Sequence, residues 1–451
     1  MKKTFYTTAA IIALGAGMAQ AQLVIEPGSD DRINWASLEE FKAAHPDLEG
    51  QSFNILGPWL GGDQELFQSV IAYFNEATGA QANYSGSNSF EQQIVIDSEA
   101  GSPPDVAVLP QPGLAADLAA KGFLKPLGQE TSDWLVENYA AGADWAALGT
   151  YAGPDGAEAL YAFPYKADVK SLVWYVPENF EDAGYEIPET YEDLKALTEQ
   201  IAADGETPWC IGLVSGGATG WPATDWVEDL MLRTATPEDY DAWTTNAMPF
   251  NDPKVVAAID EFGWFAKNPD FVAGGAGSVS ATDFRESPAG LFASPPACYL
   301  HRQASFITTF FPEGTVVGED ADFFYMPAPA SGELGQPILG GGTLFSVLTD
   351  NPAAMAFVEF LKTPLAHEIW MSQQGFVTPH KGVNPEAYSD PTVRRMGEIL
   401  TDATVFRFDG SDLMPGAVGA GAFWTGMIDF VGGASAQDVA DRIQATWDSL
   451  N

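Results

Sequence analysis

The stretch SFNILGPWLGGDQELFQSVIAYFNEATGAQANYSG, Ser52 to Gly86, decides the architecture. Its start, Ser52 to Leu56, reads as a short strand, and GPWLGG follows as a loop. A helix is expected from Asp63, because Leu66, Phe67, Val70, Ile71 and Phe74 recur at helical spacing. Gly79 stands where helices commonly end, and QANYSG reads as a second strand. The same order continues downstream. Ser89 to Ala100 reads as a helix, with Asn88 and Glu91 at capping-box spacing. DVAVLP (Asp105 to Pro110) reads as a third strand and GLAADLAAKG as a third helix. A β-α-β-α-β-α order predicts an open, mostly parallel α/β sheet, and such sheets bind ligands outside the carboxyl ends of their strands. Trp59, Asp63 and Gln111 follow strand ends and therefore belong on one rim. Trp59 would equally serve as a hydrophobic plug under its loop, and Asp63 as a helix N-cap.

The middle of the chain repeats this style. SLVWYV (Ser171 to Val176) and CIGLV (Cys210 to Val214) read as strands. Thr190 and Asp193 have capping-box spacing before a helix. DFFYMPAP and LFSVL are further strands, and the apolar run from Pro352 to Gly375 reads as two helices broken at Pro364. A C-terminal helix is expected from Ser435, with Asp438 three residues on.

The chain has 451 residues and a net charge of −42. Lys2, Lys3, the apolar run Ala9 to Met18 and the small-x-small Ala19-Gln20-Ala21 form the pattern of a cleaved signal peptide, so residues 1–21 are expected to be removed and the protein to act in a bacterial periplasm. The apolar run is shorter than the ~18 residues of a membrane span. Without Lys2 and Lys3, 18 of the 20 basic residues remain against 62 acidic ones. That balance excludes nucleic acid as a partner, because phosphates need a basic surface, and anionic membranes would repel the chain. With 13 Trp and 28 Phe the chain is apolar enough to fold, and roughly 430 residues exceed one compact core, so at least two lobes are expected. Cys210 and Cys298 are the two cysteines, and an even count in an oxidising compartment favours a disulfide.

The four histidines are scattered and form no HExxH or zinc-spaced cluster. Neither GxxxxGK[ST] nor GxSxG occurs, and GAVGAGAF lacks the third glycine of a dinucleotide loop. No cofactor or metal is expected. Four segments combine aromatic and polar residues: GPWLGGDQE, GWPATDWVED, CYLHRQASF and SDLMPGAVGAGAFWTGM. Sugars need flat aromatic platforms with a few fixed polar partners, whereas any single tryptophan also suits a core. Arg302 in LHRQ suits either a polar site or a structural salt bridge.

Read in order, these segments resemble the solute-binding proteins of sugar ABC transporters, the family that includes maltodextrin-binding proteins. FNILGPWLGGDQELFQSVIAYFNEATG is similar to the family's first strand, ligand loop and helix. GSPPDVAVLPQPGLAADLAAKGFLKPL and FPYKADVKSLVWYVPENFEDAGYEIPETYEDL resemble its following strand and its signature at the first lobe crossing. MPGAVGAGAFWTGMIDFVGGASAQDVADRI resembles its C-terminal ligand aromatic and closing helix. The signature usually has Tyr-Asn at Tyr175-Val176 and Trp at Tyr191. INWASL, LHRQ and SDLMPG look closest to the α-glucoside-binding branch.

The resemblance implies two α/β lobes, each an open, mostly parallel sheet, with a ligand cleft between them. The first lobe would comprise residues 22–165 and 343–395, the second 166–339 and 396–451, with crossings near 164–168, 338–343 and 395. Trp59, Asp63 and Gln111 would line the first lobe, with Asp168 and its neighbour Lys166 just past the first crossing. Trp221, Asp225, Arg302 and Trp424 would line the second. Gly341, in ILGGGTLF, fits a crossing where backbone approaches ligand. Both cysteines would fall in the second lobe. The expected function is capture of an α-glucoside or related oligosaccharide by a monomer that delivers it to ABC permease subunits, without catalysis. A receptor for another polar solute and a secreted glycoside hydrolase stand as alternatives, since a glycosidase needs only two carboxylates at a set separation.

Overall fold

The computed structural model describes residues 23–402 and 405–450. The expected signal peptide, residues 1–21, lies outside the described residues. β1 (Ser52–Gly57) pairs in parallel with β2 (Gln81–Gly86) on one side and β3 (Val106–Leu109) on the other. The helix Gly62–Thr78 between β1 and β2 buries Phe67, Val70, Ile71 and Phe74. It ends at Gly79, whose φ of 70° suits a residue without a Cβ. Phe74 meets Phe53 of β1 edge-on at 5.7 Å. The apolar spacing in the opening stretch is therefore the face that closes this core.

A short antiparallel hairpin, β4 (Thr150–Ala152) and β5 (Glu158–Leu160), precedes the long strand β6 (Phe163–Val169). Two residues later the chain re-enters strand structure as β7 (Leu172–Tyr175), in a different sheet with β8 (His301–Arg302) and β9 (Asp322–Tyr325). It returns through β10 (Pro337–Val347), every residue of which is buried. β10 pairs antiparallel with β3 and β6 and parallel with β11 (Val405–Phe408). The first sheet thus runs β11-β10-β3-β1-β2, with β6 also on β10. The result is a two-lobed α/β fold. One core gathers around Phe67, Phe345, Phe357 and Trp370, and another around Trp209, Trp226, Phe262 and Trp243.

Several local expectations change. CIGLV forms no regular strand. Trp209 and Val214 make isolated bridges, because Cys210 and Leu213 donate to the carbonyls of Leu300 and Val279 in separate loops, at 2.9 and 3.0 Å. β7, β8 and β9 pair antiparallel, so the second lobe's expected parallel character is confined to those bridges and to β11 on the start of β10. Gly61, not Asp63, caps the first helix, and Asp63 lies in its first turn. The capping box at Asn88 and Glu91 does not form. Ser89 is the cap, the Asn88 carbonyl accepts from Gly217 N–H at 2.6 Å, and Glu91 is buried against Gln111. The box at Thr190 and Asp193 is present. Ser435 accepts from Asp438 N–H, and the chain breaks at Pro364 into helices Pro352–Leu361 and Pro364–Met371.

Cys210 and Cys298 form a buried disulfide that spans a sequence separation of 88. A closed loop of this length contributes roughly 4–5 kcal/mol in the chain-entropy account. Replacing both cysteines by alanine is expected to lower unfolding stability by up to that amount, measured by denaturant titration. Thiol titration of the denatured, unreduced protein is expected to find no free thiol.

Candidate functional site

The lobes meet across a cavity of about 830 Å³ of atom-free space, its opening included. They touch around it: Thr309 Oγ1 donates to Asp63 Oδ1 at 3.3 Å, and Gly416 N–H donates to Asp117 Oδ2 at 3.0 Å. The loop after β1 supplies Trp59, the first turn of helix Gly62–Thr78 supplies Asp63, and the segment after β3 supplies Gln111. Trp59 is also part of the core, because its ring meets Phe67 at 4.9 Å and Trp370 at 5.1 Å. Its backbone is clamped by Tyr84, whose hydroxyl accepts from Trp59 N–H at 2.8 Å and donates to its carbonyl at 3.0 Å. The plug and the platform are thus the same residue.

Alternation along β6 and beyond places Lys166, Asp168 and Lys170 on one side, and all three line the cavity. Lys166 and Asp168 form a buried ion pair. Trp221 opens the helix Trp221–Thr234. Its ring packs edge-on against Phe284 at 4.9 Å and lies 6.0 Å from Phe306, with Lys170 Nζ 5.6 Å from its centroid. Trp424 follows a π-helical turn, Ala417–Phe423. A Cβ on Gly220 would lie 2.2 Å from the Trp424 carbonyl, so glycine there lets the two tryptophan-bearing segments come together.

Seven of the sequence-predicted residues therefore share one cavity: Trp59, Asp63, Gln111, Lys166, Asp168, Trp221 and Trp424. The structure places Asp225, Arg302 and Gly341 elsewhere. Asp225 lies one helical turn beyond Trp221 and is 1 % exposed; its Oδ1 accepts from Lys170 Nζ at 3.0 Å. Arg302 is a structural ion pair: its Nη2 donates to Asp229 Oδ2 at 3.1 Å, and its guanidinium lies 5.7 Å from the Trp226 centroid. Gly341 makes room for lysine, since a Cβ there would sit 2.8 Å from Lys170 Cε. Gly342 and Thr343 line the cavity instead.

Sequence reasoning missed Glu91, Lys170, Asp409 and Asp412, and the wall residues Phe284, Arg285 and Phe306. Lys170 was visible as the next step of the period-two pattern. Asp409 and Asp412 have capping spacing: Asp409 Oδ1 accepts from Asp412 N–H at 3.0 Å. The other wall residues carry no local signal.

Beneath the cavity Lys170 Nζ donates to Asp225 and Asp409. Oxygens of Asp225, Glu228 and Asp409 lie within 4.8 Å of one another, and the lysine already serves as their counter-ion. Burial alone would lower the Lys170 pKa, but Asp225 and Asp409 hold it well above the usual range. Burial would raise Asp409; Lys170 outweighs it and brings Asp409 down to about 2. Burial, then the Asp409 charge, pushes Glu228 and Asp412 well up. On the first-lobe wall, burial raises Asp63 to about 6 and Glu91 to about 7.

The fold and cavity define a two-lobed receptor that encloses a small polar solute. The model of the bacterial extracellular solute-binding protein family matches residues 58–367, and the chain belongs to that family. It is a family of binding proteins, so the glycoside hydrolase left open by the sequence is set aside. The chain is 65 % identical, over the whole of both chains, to the alpha-glucosides-binding periplasmic protein AglE of Rhizobium meliloti. It is 42 % identical to the osmoprotective compounds-binding protein GgtB of Synechocystis, over 89 % of this chain and 93 % of that one. The same fold recurs in the solved bacterial solute receptor AcbH, with a TM-score of 0.75 at 18 % identity over 89 % of this chain and 99 % of the other.

Lys170→Met is expected to remove the ion that keeps Asp409 charged, at a cost of about 3–5 kcal/mol at pH 8. The loss should shrink at pH 5, where the freed carboxyls take up protons; thermal unfolding at both values checks it. Asp63→Asn should act in the opposite sense. The raised Asp63 pKa means that the folded state binds its proton more tightly, so wild-type stability from this group falls as pH rises from about 4 through 6. The variant is expected to exceed apo wild type by up to about 3 kcal/mol at pH 8 and to converge with it near pH 4.

Proposed function

We propose that the chain is a monomeric periplasmic receptor that captures an α-glucoside, a di- or oligosaccharide, and hands it to the membrane subunits of an ABC importer. The observation that carries this reading is the full-length 65 % identity to a protein named for binding alpha-glucosides. The cavity supports it with two tryptophans, Trp221 and Trp424, beside carboxyl groups that accept hydroxyl hydrogen bonds. The assigned roles of Trp59, Asp63, Gln111, Lys166, Asp168, Trp221 and Trp424 rest on their place in this wall. The division into residues 22–165 with 343–395 and 166–339 with 396–451 belongs to the same reading, as does removal of residues 1–21. A second reading, a different polar solute such as a polyamine or a sugar acid, draws support from the relative named for osmoprotective compounds.

The test is titration of the mature protein with trehalose, maltose, sucrose and palatinose, followed by tryptophan fluorescence and calorimetry, with an assay for released glucose. Binding with Kd near 1 μM, about 8 kcal/mol, and no glucose release is expected for at least one sugar. Failure of all four alongside binding of a polyamine or a sugar acid would favour the second reading. Trp221→Ala should weaken sugar binding by at least about tenfold, a loss of stacking near 1.4 kcal/mol, with the apo melting temperature nearly unchanged. A large fall in apo stability would make Trp221 a core residue instead.

A further inference from the structure

We infer that Glu91 is a specificity-determining positioning residue, which turns the Gln111 side chain so that it offers the ligand a hydrogen-bond acceptor. Glu91 sits in the first turn of helix Phe90–Glu99, and its carboxyl lies against Gln111 from the segment after β3. Both residues line the cavity, with only 7 % and 6 % of their surface exposed. Gln111 Nε2 donates to Glu91 Oε1 at 3.3 Å. Gln111 Oε1 is buried and has no hydrogen-bond partner among the described residues. The backbone of Gln111 is held extended before Pro112, which leaves rotation of its side chain as the main freedom.

A glutamine amide has two faces of opposite character, and a half-turn of its terminal torsion exchanges them. At pH 8, above the value of about 7 to which burial raises it, the Glu91 carboxylate only accepts and faces the NH2 group. The carbonyl is thereby assigned to the cavity side of the exchange. A buried carbonyl without a partner is costly, and the group that relieves it must donate. A hydroxyl does so; an ether oxygen, a fluorine or a carboxylate does not. The inference rests on the sugar reading and narrows it to ligands that present a hydroxyl to Gln111.

The test compares the disaccharide that wild type binds with its monofluoro and monodeoxy analogues, by calorimetry at pH 8. In wild type, one ring position is expected to lose about tenfold or more on replacement of OH by F. Gln111→Met, which removes the acceptor, should erase the preference at that position alone and so identify it. In Glu91→Gln the amide is free to turn, and the fluoro penalty there should shrink to within about threefold, other positions keeping theirs. Glu91→Met also removes the acceptor and should give the same flattening, which keeps the test open if Glu91→Gln does not fold. An unchanged fluoro profile in the Glu91 variants overturns the inference alone, and so does an equal loss for parent and all analogues. Failure of wild type to bind any glucoside overturns the proposed function and this inference with it.

Discussion

One ammonium group ties the molecule together. Lys170 lies just beyond β6, and its Nζ holds Asp225 from the second lobe's long helix and Asp409 from the turn after β11. Its stem crosses Gly341 of β10 closely enough that a Cβ there would collide with it. Four chain segments, distant in sequence, are thus positioned by one side chain. Two charges of opposite sign are far cheaper to bury together than apart. That asymmetry makes the lysine and the aspartates mutually dependent, and it carries the floor of the cavity with them.

The wall above this floor combines two kinds of support. Trp59 and Trp221 are held by other aromatic rings, so their planes are set before any solute arrives, which lowers the ordering cost of binding. The polar groups are held by one another: Lys166 by Asp168, Gln111 by Glu91, Asp63 by Thr309. Several of the carboxyls are poised near neutrality by burial. Hydroxyls arriving with a solute can replace the solvent that these acids lost when the lobes met.

The first lobe was legible because its strands and helices carry clean periods and its turns carry their usual residues. Trp59, Asp63 and Gln111 followed from topology, since strand ends in such a sheet share a rim. The second lobe was less so. CIGLV has the composition of a strand, but its partners are loops hundreds of atoms apart in sequence, and only tertiary packing reveals them. Arg302 and Asp225 were read as ligand contacts for the same reason. A polar residue among aromatics looks alike whether it faces a solute or a buried counter-charge, and Asp229, the partner of Arg302, lies 73 residues away. Lys170 was hidden in plain periodicity, and Glu91 was assigned to a helix cap that Ser89 provides.

β6 and β10, each of which places residues in more than one core, lie side by side. β6 and β10 are hydrogen-bonded neighbours from Gly340 with Val169 to Phe345 with Phe163, and β11 flanks β10 from Pro337 to Gly340. Two unpaired tethers would let the halves twist, slide and swing separately. Here the two share one ladder, so a rotation in one strand is imposed on the other through their shared bonds. The spine of the molecule acts as a single axle. The two walls of the cavity are held to one another through a shared hydrogen-bonded ladder.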